Sequence, residues 1–143
     1  MATVEITVAP ASWMAERQVI AAIREQVFID EQGVPASLEW DGLDEAATHF
    51  LARDANGNPV GTARLLNSGQ IGRMAVLPAW RFRGAGKALL AASVAAARQA
   101  GCERVFLNAQ TRVAKLYEQA GFQAVGDEFS EAGIPHQRME MML

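Results

Sequence analysis

Residues 72–101 read GRMAVLPAWRFRGAGKALLAASVAAARQAG, and the fold follows from how this stretch changes character. It opens as an apolar strand, breaks at Pro78, and turns through Arg81, Arg83, Gly84 and Gly86. It then runs into an Ala-rich helix that stops at Gly101. A glycine-rich turn feeding a helix N-terminus leaves backbone N–H groups exposed, and those groups and the helix dipole together favour an anion. The expected occupant is the diphosphate of a cofactor. Two better-known phosphate motifs fail here. Gly86-Lys87 has the form of a P-loop tail, but that pattern needs glycine at 81 and Ser or Thr at 88, where the chain has Arg81 and Ala88. A dinucleotide fingerprint needs a third glycine at 89, where the chain has Leu89.

Outward from this stretch, upstream apolar periodicity alternates between strand and helix. Val4, Ile6 and Val8 alternate, which predicts a first strand over 3–8 ended by Pro10. Ser12 suits the N-cap of a helix over 13–28, with Ile20, Ile23 and Val27 on its buried face. Residues 30–44 read as a long irregular loop anchored by Leu38 and Trp40, and a loop of that length in a compact domain is more often functional than idle. Strands follow over 49–54, 59–66 and 70–77, with Asn56-Gly57 as the hairpin turn. Downstream of the central helix come a strand over 104–109, a short helix over 112–120 closed by Gly121, and strands over 122–129 and 137–142 joined by residues 130–135. Strand, helix and strand across the central stretch imply a parallel pair with a right-handed crossover. The predicted class is α/β (α+β): a mixed, mostly antiparallel sheet of six to seven strands flanked by about four helices.

Composition narrows the function classes. The 143 residues are expected to form a single domain, half apolar and one-fifth charged, as in ordinary globular proteins. A net charge of -3 argues against nucleic acid as the main partner, although Arg81, Arg83 and Lys87 form a local basic patch. The single cysteine, Cys102, cannot make an internal disulfide and is expected in the core. The first ten residues lack a basic segment followed by a long apolar run, and the longest apolar run, 88–97, is too short to span a bilayer. A cytoplasmic protein with no membrane contact is the expectation. The two histidines and one cysteine lack ligand spacing, so no metal site is expected.

Arg81, Gly84 and Gly86 form Arg-x-x-Gly-x-Gly, directly after Met74-Ala75-Val76 and Leu77-Pro78 and directly before a helix. Asn108-Ala109-Gln110 ends the next strand, and Leu116-Tyr117-Glu118-Gln119-Ala120-Gly121-Phe122 follows it. This combination, over about residues 60–125, resembles the GNAT acetyltransferase superfamily. VFIDEQGVP at 27–35 and GIPHQRM at 133–139 also resemble its small bacterial ElaA/YjcF-like subgroup.

The resemblance implies acetyl-CoA as co-substrate and assigns expected roles. Its diphosphate would sit on the N–H groups of Phe82, Arg83, Gly84, Ala85, Gly86 and Lys87, with Arg81 or Arg83 adding charge-assisted contacts. Its extended arm would pair with the strand of Met74, Ala75 and Val76, where a backbone N–H would polarise the thioester carbonyl. Asn108 would contact the arm or an ordered water. Tyr117, the sole tyrosine, would protonate the departing thiolate. His136 is the first candidate base, since imidazole is the side chain that ordinarily titrates near neutrality. Glu31 is the second and Glu128 the third, while a water chain would do without any of them. His49 reads as structural. Arg24, Arg73 and Arg112 would converge at the acceptor end, and converging there would favour an acceptor with a carboxylate or phosphate.

The leading reading is an N-acetyltransferase moving an acetyl group to a small-molecule amine by direct attack within a ternary complex. The alternatives are a non-catalytic CoA-binding module, an enzyme for a peptide or protein amine, and one using a longer acyl chain. Exposed strand edges of such a sheet also leave room for a homodimer.

Overall fold

The computed structural model describes residues 5–143. Eight strands form two four-stranded sheets. The first is built from β1 (Thr7–Ala11), β2 (Thr48–Arg53), β3 (Pro59–Leu65) and β4 (Ile71–Val76), antiparallel in that order. The second places β8 (Ile134–Met142) between β5 (Arg104–Gln110) on one edge and both β6 (Gln123–Ala124) and β7 (Phe129–Glu131) on the other. Four α-helices flank them: α1 (Trp13–Arg24), α2 (Ala36–Glu39), α3 (Ala85–Gln99) and α4 (Ala114–Gln119). The expected α/β class, largely antiparallel pairing and helix number are all present. There are eight strands because the 122–129 stretch is interrupted and contributes both β6 and β7.

Strand alternation divides the core in two. On β2, Phe50 and Ala52 turn to the cluster containing Leu89, Leu90 and Ala97 of α3, whereas Leu51 turns to Ile20 and Ile23 of α1. The first sheet is thus covered on both faces. Leu89 and Leu90 are buried, each stabilising by roughly 1.5–3 kcal/mol. The alanines of α3 keep that helix smooth enough to lie close on the sheet. Cys102 is half-buried beside the same cluster.

Several boundaries differ from the sequence reading. Pro10 does not end the first strand, which runs to Ala11 with Pro10 opposite Phe50. An edge strand tolerates the missing N–H. Val4 lies outside the described residues. The first helix continues past Arg24 as a π-helix, Glu25–Glu31. Leu38 is no anchor: it is half exposed, while Trp40 packs under the Arg24 guanidinium at 4.9 Å from the ring centroid. Residues 130–135 are not a plain connection, because β7 and β8 form a hairpin turning at Ala132 and Gly133, both at positive φ. His136 therefore lies in a strand.

The expected parallel pair shrinks to a single bridge, Gln70 to Phe106, with the Phe106 N–H on the Gly69 carbonyl at 3.1 Å. Beyond it β4 and β5 diverge. At the junction Gly69 has φ 92, and a Cβ there would stand 2.6 Å from the Arg104 carbonyl oxygen. Only glycine permits this approach. The β3–β4 register shifts between Thr62 and Arg64, and opposite that bulge Arg73 takes φ 47. Among the described residues, no helix is long and apolar enough to cross a membrane.

Candidate active site

After β4 the chain makes a 3-10 turn, Pro78–Trp80, and reverses through 81–84. Gly84 caps α3 at φ 91, a left-handed conformation that a side chain would strain. The Ala88 N–H reaches the Gly84 carbonyl at 3.0 Å, but the N–H groups of Phe82 through Lys87 have no acceptor among the described residues. Such a row of unsatisfied donors at a helix start is what an anion needs. The side chain of Ala85 is buried, so only its N–H is on offer, and Phe82 and Lys87 are exposed. Arg83 lies over Trp80 at 5.3 Å.

Arg81, one of the two arginines expected at the diphosphate, is bonded within the chain. Its Nε donates to the Val76 carbonyl at 3.0 Å, and its two terminal nitrogens donate to both oxygens of Glu31 at 2.6 Å. This fork occupies every nitrogen of the guanidinium, so Arg81 ties the turn to β4 and to the end of the π-helix. Arg83 and Lys87 remain as the cations beside the donor row.

Between β4 and β5 opens a cleft of about 650 Å³, in the range of small-molecule sites. Met74, Ala75 and Val76 line one wall and Asn108 the other. Val76 has its carbonyl turned off the β3 ladder toward Arg81, and the N–H of an extended residue points the same way as its own carbonyl. The Val76 N–H thus faces the cleft. An unpaired strand edge beside a row of free N–H groups fits a ligand with an extended amide arm and a diphosphate.

Tyr117, on α4, lines the cleft with its ring edge-on to Phe122 at 6.2 Å. Burial pushes its hydroxyl up to about 12, so the phenol holds its proton at neutral pH. His136 also lines the cleft, stacked on Phe129. Its Nδ1 lies 2.7 Å from the Ile134 carbonyl oxygen. A carbonyl only accepts, so Nδ1 carries a hydrogen, and in the neutral ring Nε2 is the nitrogen with the lone pair. Nε2 stands 3.5 Å from Glu131.

Glu31 is unsuited to act as a base. The Arg81 hydrogen bonds, helped by the charges of Arg81 and Arg112, hold its carboxyl below the usual range. Glu128 is exposed between β6 and β7, away from the cleft. His49 is buried against Trp13 with Nε2 on the Asp44 carbonyl at 2.8 Å, as a structural histidine should be. Burial lowers its pKa.

The three arginines expected at the acceptor end separate. Arg24 is fully buried, with Nε on Glu39 and Nη1 on Asp44, both at 2.7 Å. It cannot reach an acceptor and instead fastens the 36–44 loop to α1. Arg64, which the sequence reading passed over, holds Asp41 at 2.8 Å and Asp44 at 3.0 Å. Arg73 lines the cleft but is paired with Asp41 at 3.1 Å. Burial raises the Glu39 carboxyl. For Asp41 burial acts the same way, but the Arg64 hydrogen bonds and the neighbouring charges outweigh it and bring the carboxyl down to about 2. Arg112 lines the cleft with Nε on Gln110 at 3.1 Å.

Gln32 and Gln110 were also missed. They join across the cleft at 2.9 Å. Gln110 was within reach of the sequence, since it lies two residues beyond Asn108 and shares its face. Gln32 was not: the Gln32 N–H bonds to the Val27 carbonyl at 3.2 Å, a π-type closure that brings Gln32 over Val27. Among the described residues, no group of three His, Cys, Asp or Glu is placed to hold a metal.

Residues 11–143 match the Acetyltransferase (GNAT) domain family. The uncharacterized N-acetyltransferase YjcF of Bacillus subtilis (strain 168) is 36% identical over 121 residues, which span 82% of this chain and 86% of that relative. Among solved structures, an acyl-CoA N-acyltransferase from Pseudomonas aeruginosa superposes with a TM-score of 0.84 at 29% identity, over 95% of this chain and 99% of its own. Escherichia coli ElaA superposes with a TM-score of 0.84 at 26% identity, over 95% and 99% respectively.

Proposed function

The chain belongs to the GNAT acetyltransferase family, as an N-acetyltransferase of the ElaA and YjcF type, and from that premise we propose that it acetylates the amine of a small molecule by direct transfer with both substrates bound. Acetyl-CoA supplies the activated thioester, on a diphosphate and an extended arm. The N–H groups of Phe82 through Lys87, with Arg83 and Lys87 beside them, bind the diphosphate. The Val76 N–H and the β4 edge align the arm and stabilise charge at the carbonyl oxygen. His136 Nε2 takes the proton that the amine nitrogen sheds as it bonds to the acetyl carbon. The Tyr117 hydroxyl supplies the proton that the departing sulfur takes up as the C–S bond breaks.

The observation that carries this reading is the placement of Tyr117 and His136 on the walls of one cleft that also holds the free edge of β4. The test is thiol release from acetyl-CoA over a panel of small amines. Release that depends on the amine is expected. Tight acetyl-CoA binding by calorimetry, with no release from any amine, overturns the reading.

A further inference from the structure

Charge around the cleft is unevenly matched. Arg24, Arg64 and Arg73 face Glu39, Asp41 and Asp44, and Arg81 faces Glu31. Arg112 has no carboxylate within ion-pair distance among the described residues. Its Nε donates to Gln110 Oε1 at 3.1 Å, while Gln110 Nε2 donates to Gln32 Oε1 at 2.9 Å. The Gln110 amide is therefore held in one orientation, and it grips the guanidinium by one edge. Both terminal nitrogens of Arg112 are left without a partner. A fork presented end-on matches two anionic oxygens in one plane.

On the other side of Gln110 the sign reverses. His136 is the direct cross-strand partner of Gln110, with Cα atoms roughly 5 Å apart in such pairs. Its Nε2 faces Glu131, which lines the cleft and has no guanidinium partner among the described residues. Arg112 and the His136–Glu131 pair thus flank one glutamine, a guanidinium on one side and a carboxylate on the other. Phe28, Val34, Leu38 and Ile71 supply apolar wall in the same cleft.

We infer that the acceptor is an amine that also carries a carboxylate close by, with an apolar side chain: an apolar amino acid. Its carboxylate lies on the Arg112 fork, its amine at His136 and Glu131, and its side chain on the apolar wall. This rests on the N-acetyltransferase reading above and narrows it.

The experiment compares apolar amino acids with their carboxamides and decarboxylated amines in the thiol-release assay, using the wild type, Arg112→Gln and Arg112→Lys. The amino acids are expected to have the highest kcat/KM. Arg112→Gln is expected to raise KM for the amino acids about 10- to 100-fold, the worth of a charge-assisted pair. It should leave KM for acetyl-CoA, and the rates with decarboxylated amines, within about twofold, and Arg112→Lys should recover part of the loss. Equal use of all three sets by the wild type, or an equal effect of Arg112→Gln on all three, overturns the inference while the acetyltransferase reading stands. Thiol release with other amines but with none of these three sets overturns it in the same way. Release from no amine at all sinks both.

Discussion

Tyr117 is the residue whose chemistry depends most on its surroundings. A phenol in water would already be a poor proton donor, and burial makes it poorer by raising its hydroxyl to about 12. The same burial keeps the proton on the oxygen at neutral pH, and it equally disfavours charge on the departing thiolate, which helps the proton to cross. Tyr117→Phe keeps the ring against Phe122 and removes only the proton. It is expected to lower kcat by about 10²- to 10⁴-fold, with KM for acetyl-CoA within about twofold. An unchanged kcat in steady-state assays removes Tyr117 as the acid. The residue itself could be picked out in the sequence, being the sole tyrosine and seated in a recognisable segment. The tautomer of His136 could not, because it depends on the Ile134 carbonyl meeting Nδ1 in a particular strand conformation.

Among the elements, the helix over 13–31 and the loop over 36–44 are the most instructive pair. Ile20, Ile23 and Val27 mark the buried stripe of α1 and its continuation, and position 24 falls inside that stripe. The helical period thus allows Arg24 an inward place, but the sequence reading sent it to the acceptor, because a charge survives in the interior only with partners. Those partners, Glu39 and Asp44, are 15 and 20 residues away in an irregular loop, so no local pattern announced them. Arg24→Ala leaves the buried Glu39 with only the longer Arg73 contact at 3.4 Å and is expected to destabilise by about 3–5 kcal/mol in urea unfolding. Arg112→Ala, at an exposed site, should stay within about 0.5 kcal/mol. Similar losses for the two would mean that the loop network is not what fastens α1. Arg81 makes the same point in reverse: its motif position was plain in the sequence, but its attachment to Glu31 across 50 residues was not.

In the whole molecule, function depends on two sheets that meet at one point and then part. The meeting point is Gly69 against Arg104, followed by the Gln70–Phe106 bridge. Gly69→Ala forces a Cβ toward the Arg104 carbonyl from a left-handed backbone, and is expected to cost about 2 kcal/mol or more. Because the junction sets the divergence of β4 from β5, KM for acetyl-CoA should rise with it. A variant with unaltered thermal midpoint and unaltered KM would show that the angle between the sheets is set elsewhere. The turn at 84–86, the helix it feeds and most of the order of strands and helices were determined by the sequence itself, α2 and β7 excepted. Left-handed glycine, helical period and strand alternation are local and need no distant partner. The division into two sheets, the capture of Arg81 by Glu31, the burial of Arg24 and the isolation of Arg112 were decided only by the tertiary structure. Each is a matter of which charges and strand edges find partners, and those partners lie far apart along the chain.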